Sequence, residues 1–587
     1  MITIPYGQAG FKSLITRGFY YLDRTQYIEK LEQQNSDYPV FLRPRRFGKS
    51  LFINMLHCYY GVEHAASFQE IFGNLYIGQH PTPLANKFFI LSFNFSAINT
   101  HHIEKVESSF LANVHDSISE FIKTYEGYFP ISVEAQNKIF AINDAAEMLK
   151  AFFRILPKGT EPPLIYVLID EYDHFTNELL AYNLAHFKSA VTENGYVRKF
   201  FEVLKAKAND STISRIFITG VAPLTIDSLT SGYNISTDLT MDIRFHDMMG
   251  FLEHEVRDVL QKIDIPDDKL EETLTDLKEW YDGYRFSARA QQHLYNTDMV
   301  LYFADRYTVE DRYPDKMLDT NIASDYEKIA SIFRLGGREE ENFKHLSRFV
   351  EEGEFQGVIT HQFNLKSGFT IFDVFSMLFY MGMATFTSAR GNVWTFTPPN
   401  YVIRKLYFDY FTALTLGSSA YSLVYDIQQS VQALVFEGKM EPFAEIVGTV
   451  LQKAHSTRDK IRYGEKHLKT LMIGLMFPYE MYLIRSEYET EGVFPDIFLE
   501  RIPQVDIKHE VVIELKYIKL ADSEKEEKTE KTADYISLLD KAIAEGTQQI
   551  EKYMATARFQ RPNIRGFCLV FVGNECQKII ERVPDSI

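Results

Sequence analysis

The sequence predicts an α/β protein whose amino-terminal part is built on a parallel sheet, and two observations predict it. Four short apolar runs suited to buried strands alternate with stretches of helical character, and strands separated by helices favour a parallel sheet covered on both faces. The clearest run has six consecutive apolar residues, as expected for a strand buried on both sides. The four runs lie at the start of Pro39–Leu51 and in Lys87–Phe95, Leu164–Ile169 and Arg215–Thr219.

The stretch Pro39–Leu51, PVFLRPRRFGKSL, is a short apolar strand, a tight loop and the start of an apolar helix. This layout is typical of a phosphate-binding P-loop, in which loop amides and the helix end hold phosphates. Lys49 can reach the terminal phosphates, and the Ser50 hydroxyl can ligate magnesium. The usual pattern has a first glycine where this chain has Arg43. A basic turn without nucleotide is therefore the alternative.

The run Leu164–Ile169, LIYVLI, ends in an acidic quartet that begins with Asp170 and Glu171. A bound triphosphate needs one carboxylate to hold magnesium and another group to orient the attacking water. We expect Asp170 to hold the magnesium shell and Glu171 to act as the base that polarises water. The alternative is an acidic loop that caps a strand.

The order of the strands along the chain favours one group of nucleotide-binding folds. Lys87–Phe95 is an extra strand between the P-loop and the acidic strand, as in the additional-strand ATPases. In that order Thr219, at the end of Arg215–Thr219, falls where a polar sensor would contact the γ-phosphate or the attacking water. A threonine that only caps its strand is the alternative.

The length and composition of the chain exclude several classes of protein. A chain of 587 residues with 45% hydrophobic residues can bury several large cores. A targeting segment and an apolar run of about 18 residues are both missing from the sequence, so we expect a soluble, cytoplasmic protein without a membrane partner. The net charge of −18 argues against a general polyanion-binding surface. The three cysteines, Cys58, Cys568 and Cys576, are too few and too scattered for a disulfide framework or a zinc cluster.

Five separated segments resemble, in order, the AAA-ATPase-like family found beside PD-(D/E)XK nuclease-superfamily domains. They are FLRPRRFGKS, LIDEYD, ITGVAPLTIDSLTSGYN, RFHDMMGF and WYDGYRF, within about the first 300 residues. The resemblance accounts for the missing loop glycine and implies ATP and Mg²⁺ as cofactors. Arg45, Arg46 and Arg244 are candidates for phosphate or arginine-finger contacts, or else they hold acidic neighbours. The expected nucleotide contacts are Arg45, Arg46, Phe47, Gly48, Lys49, Ser50, Leu51, Asp170 and Thr219.

The sequence in the middle of the chain predicts a helical lid followed by a winged-helix-like module. Residues 253–280 are helical and charged in character, and Phe369–Phe386 is apolar on most faces, as expected for a buried helix that leads into a strand. A turn, a second strand and another helix follow. Such a module can bind DNA, but its aromatic helices favour packing against the ATPase domain. We therefore predict domains at 1–255, 256–440 and 441–587.

Two strand-like runs near the carboxyl end carry a second group of charged residues. Val493–Leu499 contains Asp496, and Glu510–Tyr517 contains Glu514 and Lys516. Because side chains alternate along a strand, Glu514 and Lys516 point to the same side. Asp496 and Glu514 can hold one or two magnesium ions, while Lys516 can orient water and offset charge on phosphorus. Alternating charges on an exposed strand would give the same pattern.

Flanking helices offer further candidates for this second site. Glu465, close to His467, precedes an apolar helical run and could supply another metal ligand. In a later helix, Gln549 and Tyr553 could contact the substrate backbone. Between the strands and that helix, Ala521–Thr532 is a charged run expected to be a solvated extension.

Residues from about 440 to 587 resemble the PD-(D/E)XK nuclease superfamily. The resemblance implies an α-β-β-β-α-β core, with GFCLVFV at Gly566–Val572 as its late strand, and a metal site for Mg²⁺ or alternatively Mn²⁺. A degenerate fold, with Glu514 and Lys516 as an internal ion pair, is the alternative.

The two chemical sites together predict an ATP-binding and ATP-hydrolysing switch coupled to a magnesium-dependent nuclease that acts on DNA or RNA. The alternative is a nucleotide-controlled interaction protein with a catalytically inactive nuclease fold. A homo-oligomer or a protein partner is compatible with both interpretations.

Overall fold

The structure is a computed structural model, and its chain divides into two compact units. Unit 1 comprises Met1–Arg312, Leu318–His345 and Glu354–Tyr401, and unit 2 comprises Tyr313–Met317, Leu346–Gly353 and Val402–Ile587. The division into domains at 1–255, 256–440 and 441–587 remains a prediction, and the two units do not test it. The structure describes residues 2–100, 102–156, 164–192, 194–225, 233–319, 332, 338–361, 363, 369–416, 420–457, 464–486, 488–502, 505–519 and 533–584.

Unit 1 is built around a five-stranded sheet in which every strand pairing is parallel, as predicted. The strand order is β2-β3-β4-β1-β5, so β4 lies between the P-loop strand β1 and the acidic strand β3. The carboxyl ends of these three strands therefore meet at one edge of the sheet. The five strands are β1 Pro39–Leu42, β2 Phe89–Asn94, β3 Ile165–Asp170, β4 Ile213–Gly220 and β5 Thr237–Asp238.

Helices connect and cover this sheet. The helix that follows the P-loop, Lys49–Tyr60, is apolar on most of its surface and has eight buried residues. Between residues 103 and 156, the helical stretch that separates β2 from β3 contains three separate α-helices. The α-helices up to residue 310 are Phe11–Thr16, Gln26–Glu32, Lys49–Tyr60, Phe68–Phe72, Tyr76–Gln79, Val106–Thr124, Val133–Phe140, Ala145–Ile155, His174–Tyr182, Leu184–Val191, Tyr196–Asn209, Glu253–Lys262, Asp267–Tyr281 and Thr297–Glu310.

A small antiparallel sheet follows in unit 1, with strand order β6-β8-β7. The buried helix Ile371–Tyr380 precedes its hairpin, and the helix Tyr401–Leu416 comes next along the chain. This helix, hairpin and helix order is the predicted one, while a winged-helix module remains a prediction. The strands are β6 Phe355–Gly357, β7 Thr385–Arg390 and β8 Val393–Thr397, and the helix Glu339–Glu352 lies before them.

Unit 2 contains a five-stranded mixed sheet with strand order β13-β12-β11-β10-β9. The central pair β11 and β12 is parallel, whereas the other pairings are antiparallel. The strands are β9 Tyr482–Ser486, β10 Ile497–Arg501, β11 Glu510–Ile518, β12 Ile564–Val572 and β13 Glu575–Arg582. The α-helices of its main part are Tyr401–Leu416, of which residue 401 belongs to unit 1, and Ala420–Gln432, Glu441–Thr457, Glu465–Met476 and Ala533–Met554. Residues 346–352 of the helix Glu339–Glu352 also belong to unit 2.

The helix Glu465–Met476, strands β9 to β11, the helix Ala533–Met554 and strand β12 give the α-β-β-β-α-β order that the resemblance implied. Strand β13 is an additional edge strand that pairs antiparallel with β12. The predicted charged run Ala521–Thr532 lies outside the described residues, as do residues 226–232 of one quoted motif. None of the helices in the described part of the chain is both long enough and apolar enough to cross a membrane.

Candidate functional site

The P-loop turns into its helix through a glycine in the left-handed conformation. Gly48 has a φ of 94° and immediately precedes the helix Lys49–Tyr60, so a side chain at this position would be strained. Lys49 is buried, and its Nζ donates to the Pro44 carbonyl at 3.0 Å. The same Nζ lies 3.6 Å from Oε1 of Glu171. The Lys49 amine and the acidic residues at the end of β3 therefore lie next to each other at the loop.

Ser50 and Asp170 meet directly across the loop and β3. The Ser50 hydroxyl donates to Oδ2 of Asp170 at 2.6 Å. The other carboxylate oxygen, Oδ1, is buried and has no hydrogen-bond partner among the described residues. Burial raises the pKa of Asp170 above its usual value. A hydroxyl beside an unsatisfied carboxylate oxygen is a set of hard oxygen donors, which fits a magnesium ion.

Glu171 has a left-handed backbone conformation and lies among charged side chains. Its φ is 51°, a left-handed conformation that is uncommon outside glycine. Burial acts to raise its pKa, but Lys49, Arg45 and His174 together lower it below the usual value. Glu171 is thus held ionised at the sheet edge.

The loop arginines have protein partners in this structure. Arg45 Nη2 lies 2.8 Å from Nδ1 of His174, and Arg46 donates to Asp298 and Asp319 at 3.0 Å each. The contacts of Arg46 match the alternative that such arginines hold acidic neighbours. Arg244 is exposed, and it pairs with Asp242, two residues before it.

Thr219 lies at the carboxyl end of β4, between the P-loop strand and the acidic strand. Its hydroxyl is fully buried and donates to the Phe41 carbonyl of β1 at 2.8 Å. A contact between this hydroxyl and a γ-phosphate would require that hydrogen bond to break. The sensor role remains a prediction.

An apolar cavity of about 70 Å³ adjoins the P-loop. Phe47, Gly48 and Leu51 of the loop and its helix line one part of it. Other parts of the lining come from the segment before β1 and from the segment before the helix Glu253–Lys262, and they include Tyr20, Tyr21, Met248 and Phe251. This aromatic and sulfur-containing surface suits a flat heterocycle.

The second group of charged residues also comes together, at the junction of β10 and β11. Asp496 directly precedes β10, and its Oδ2 accepts a hydrogen bond from the Leu515 amide at 2.8 Å. Burial, followed by the charge of Glu514, raises the pKa of Asp496 to about 6. Glu514 accepts from Lys516 Nζ at 2.6 Å and from the Tyr553 hydroxyl at 2.9 Å.

The helix Glu465–Met476 adds one carboxylate and one amine to this site. Burial raises the pKa of Glu465 above its usual value; the charge of Lys516 opposes this shift, and the charge of Asp496 adds to it. Lys469, one turn further along, is buried with Nζ 3.9 Å from Oδ1 of Asp496. His467 instead has its Nδ1 3.2 Å from Glu351, so it faces another way.

Sequence reasoning missed Lys469 at this site. Residues four positions apart lie on one face of a helix, and Glu465 was already a candidate, so this spacing could have identified the lysine. The helix Ala533–Met554 contributes Tyr553 to the site through Glu514 and through the Phe494 carbonyl, 3.2 Å away. Gln549 on the same helix is exposed to solvent.

These two sites define the class of protein: an α/β chain that combines a P-loop domain with a nuclease-like domain. Comparison with known families gives the same division. Residues 5–230 match the family model described as "Predicted AAA-ATPase", and residues 463–581 match the PD-(D/E)XK nuclease superfamily. The chain therefore carries an AAA-ATPase-like domain and a carboxyl-terminal PD-(D/E)XK domain, as the resemblances implied.

A curated relative from Azotobacter chroococcum mcd 1 is 26% identical over 290 residues. It is described as "Uncharacterized protein in vnfD 5'region", and the match covers 49% of this chain and 49% of the relative. The match thus spans about half the length of that relative.

Proposed function

We propose that the amino-terminal domain binds and hydrolyses ATP. The Ser50–Asp170 contact, with its unsatisfied buried carboxylate oxygen beside Lys49, carries this proposal. Ser50 and Asp170 would hold Mg²⁺, which neutralises phosphate charge when bound. The loop amides before Gly48 and the Lys49 amine would bind phosphates in place of the present Lys49–Glu171 contact. Glu171, ionised and adjacent, would orient and deprotonate the attacking water.

The cavity beside the loop supports adenine as the base. Its aromatic and methionine side chains offer stacking surfaces within reach of a nucleotide whose phosphates lie at Gly48. Arg24, which also lines this cavity, forms a bidentate ion pair with Glu255 and donates to the Gly250 carbonyl at 2.8 Å. This pair fixes the wall of the cavity, so we expect the base to be held by shape and by main-chain groups.

The ATPase proposal is tested by phosphate release from purified full-length protein. Lys49→Ala should lower turnover at least about 100-fold, because the phosphate charge loses its main side-chain partner. Glu171→Gln should retain nucleotide binding and lose turnover. Lys123→Ala, an exposed lysine on another helix of the same unit, should leave both unchanged. Full turnover by Lys49→Ala would contradict the proposal.

We propose that the carboxyl-terminal domain is a metal-dependent nuclease. The convergence of Asp496, Glu514 and Lys516, with Glu465 nearby, carries this proposal. These carboxylates fit one or two Mg²⁺ or Mn²⁺ ions, which supply Lewis-acid stabilisation of a phosphodiester. Lys516 would orient the attacking water, and Lys469 would offset charge on the phosphate. Tyr553 would hold Glu514 in position.

Cleavage assays test this second activity. Single- and double-stranded DNA and RNA are incubated with the protein and Mg²⁺ or Mn²⁺, with and without ATP. Asp496→Ala should lower cleavage at least about 100-fold, while the exposed Asp540→Ala on the neighbouring helix should not. Equal cleavage by Asp496→Ala and wild type would show that the activity belongs to another site or a contaminant.

Coupling of the two activities is motivated by their occurrence in one chain. If the ATPase is a switch, Lys49→Ala should change the ATP dependence of cleavage and leave ATP-independent cleavage intact. The alternative, an interaction protein with an inactive nuclease fold, predicts no cleavage under any condition together with nucleotide-dependent complex formation. The Glu514–Lys516 ion pair at 2.6 Å is the observation that favours this alternative.

A further inference from the structure

Three side chains of types that bind metals lie together at the end of the P-loop helix opposite to Lys49 and Ser50. His57 is in the last turn of the helix Lys49–Tyr60, and Glu63 and His64 are in the 3₁₀ helix Val62–Ser67. One ligand atom from each lies within 4.8 Å of the other two. Glu63 Oε1 lies 2.8 Å from Nε2 of His57 and 3.9 Å from Nε2 of His64, so one oxygen faces both imidazoles.

The surrounding residues hold Glu63 in this orientation. The Tyr125 hydroxyl donates to Oε2 of Glu63 at 2.8 Å, which leaves Oε1 toward the histidines. The same hydroxyl accepts from the Ile90 amide of β2 at 2.9 Å. Hydrogen bonds of this kind orient the ligands of metal sites.

Gly61 provides the space that the carboxylate occupies. A Cβ at this position would lie 2.7 Å from both carboxylate oxygens of Glu63, closer than such atoms can approach. The backbone of Gly61 is in an ordinary extended conformation, with a φ of −66°. A side chain at position 61 would therefore displace the Glu63 carboxylate, while the backbone conformation does not itself require glycine.

The donor set selects one class of ion. Two imidazole nitrogens and one carboxylate oxygen are typical of Zn²⁺ and related transition ions, whereas Mg²⁺ and Ca²⁺ prefer oxygen ligands alone. A tetrahedral ion with bonds of about 2.1 Å separates its ligand atoms by about 3.4 Å. This value falls between the two distances from Glu63 Oε1. Because all three residues are half-buried, water can complete the coordination.

We propose that His57, Glu63 and His64 form a binding site for Zn²⁺ or a similar transition-metal ion. The ion would join the end of the P-loop helix to the following 3₁₀ helix and, through Glu63 and Tyr125, to β2. Its role is structural: it fixes the end of the helix whose other end binds phosphate. The site is independent of the proposed ATPase and nuclease activities.

Metal binding by the full-length chain tests this site. Protein stripped with a chelator is titrated with Co²⁺ and then Zn²⁺ in excess Mg²⁺, in an Asp496→Ala background so that the proposed nuclease site does not contribute. We expect a visible absorption band typical of tetrahedral Co²⁺ that Zn²⁺ abolishes at one equivalent. His57→Ala or His64→Ala should weaken Zn²⁺ binding at least about tenfold, and Tyr125→Phe by about tenfold.

The matched control is His115→Ala, a partly exposed histidine of the same unit, which should bind like the parent. Unchanged Zn²⁺ affinity in both His57→Ala and His64→Ala would overturn the proposal. Should those variants fail to fold, X-ray absorption on the Zn²⁺-loaded parent decides. Two imidazole ligands with one or two oxygens support the site, and a spectrum without two imidazoles overturns it.

Discussion

At the scale of single residues, Arg43 shows how the loop turns without its usual glycine. The side chain is buried between the rings of Phe41 and Phe286, with its guanidinium carbon 4.1 and 4.2 Å from the ring centroids. Burial lowers the pKa of Arg43 to about 9, so it stays charged at neutral pH. Arg43 is therefore a buried structural residue at the start of the loop. Its guanidinium donates to the carbonyls of Leu42, Thr240, Phe245 and His246.

Arg43→Met should destabilise unit 1 by about 3 kcal/mol or more, because it leaves four buried carbonyls without their donor. Arg43→Lys keeps the charge but not the planar donor set, so we expect it to lose part of this stability. The urea midpoint of unfolding measures both effects. Arg244→Ala is the matched control, since that arginine is exposed and should change stability by less than about 0.5 kcal/mol. Equal midpoints for Arg43→Met and Arg244→Ala would contradict this account.

Asp282 makes stability depend on pH. It is buried, its Oδ1 has no hydrogen-bond partner among the described residues, and burial raises its pKa from the usual 3.8 to about 6. Above pH 6 the folded protein must hold a buried charge, and this cost disappears as the pH falls below 4. Asp282→Asn should therefore raise stability by roughly 1–3 kcal/mol at pH 8 and have little effect at pH 4.

Thermal melting at the two pH values measures this difference. Glu272→Gln, an exposed acid on the helix Asp267–Tyr281, provides the control and should show no such pH dependence. A gain from Asp282→Asn that is the same at both pH values would instead indicate an effect of hydrogen bonding alone.

At the scale of elements, the approach of the helix Ala533–Met554 to its sheet sets the position of Tyr553. The helix passes close to the sheet at Gly546, since a Cβ there would lie 2.3 Å from Sγ of Cys568 on β12. Cys568 is paired in register with Glu514 on the neighbouring strand β11. A displacement of the helix would thus separate Tyr553 from Glu514.

Gly546→Ala should destabilise unit 2 by about 1–3 kcal/mol, because the crowding at Cys568 outweighs the better helix propensity of alanine. Cys568→Ala removes the clashing sulfur, so the double variant should be more stable than the sum of the two single changes. Urea unfolding of all four proteins completes this cycle. Additive effects would show that the helix does not contact β12 at Gly546.

The strands also show which parts of the fold the sequence could predict. Long apolar runs identified β1 to β4, β11 and β12, because buried strands leave a strong signal. The edge strand β5 has two exposed residues and β13 has no buried residue, so neither produced an apolar run. Asp496 was predicted within a strand, yet β10 begins one residue later. Pro495 precedes Asp496, and the residue at which β10 begins depends on the pairing of β10 with β9 and β11.

The residues of the two sites were predictable where a motif fixed them, and their partners were not. Gly48, Lys49 and Ser50 follow from spacing along a loop. The contacts of Arg46 with Asp298 and Asp319 join residues more than 250 positions apart, which spacing alone does not reveal. The structural role of Arg43 likewise depends on carbonyls from a distant segment.

At the scale of the whole molecule, two compact units predict two separable responses to ligands. If the two proposed sites bind these ligands, ATP with Mg²⁺ should raise the melting temperature of unit 1, and Mn²⁺ without nucleotide should raise that of unit 2. Lys49→Ala should abolish only the first shift, and Asp496→Ala only the second. Calorimetry measures both. A single transition that moves equally with each ligand would show that the units unfold together.

Unit 2 contains two short pieces of chain, Tyr313–Met317 and Leu346–Gly353, that precede its main part by many residues. The second piece is anchored there by Phe349, whose ring lies 5.5 Å from that of Tyr407, and by Glu351 at His467. A protease that nicks the backbone between residues 401 and 402 would therefore leave fragments that co-elute under native conditions and separate only in denaturant. Expressing the carboxyl-terminal portion alone from residue 402 would omit this anchor and expose the apolar surface it covers.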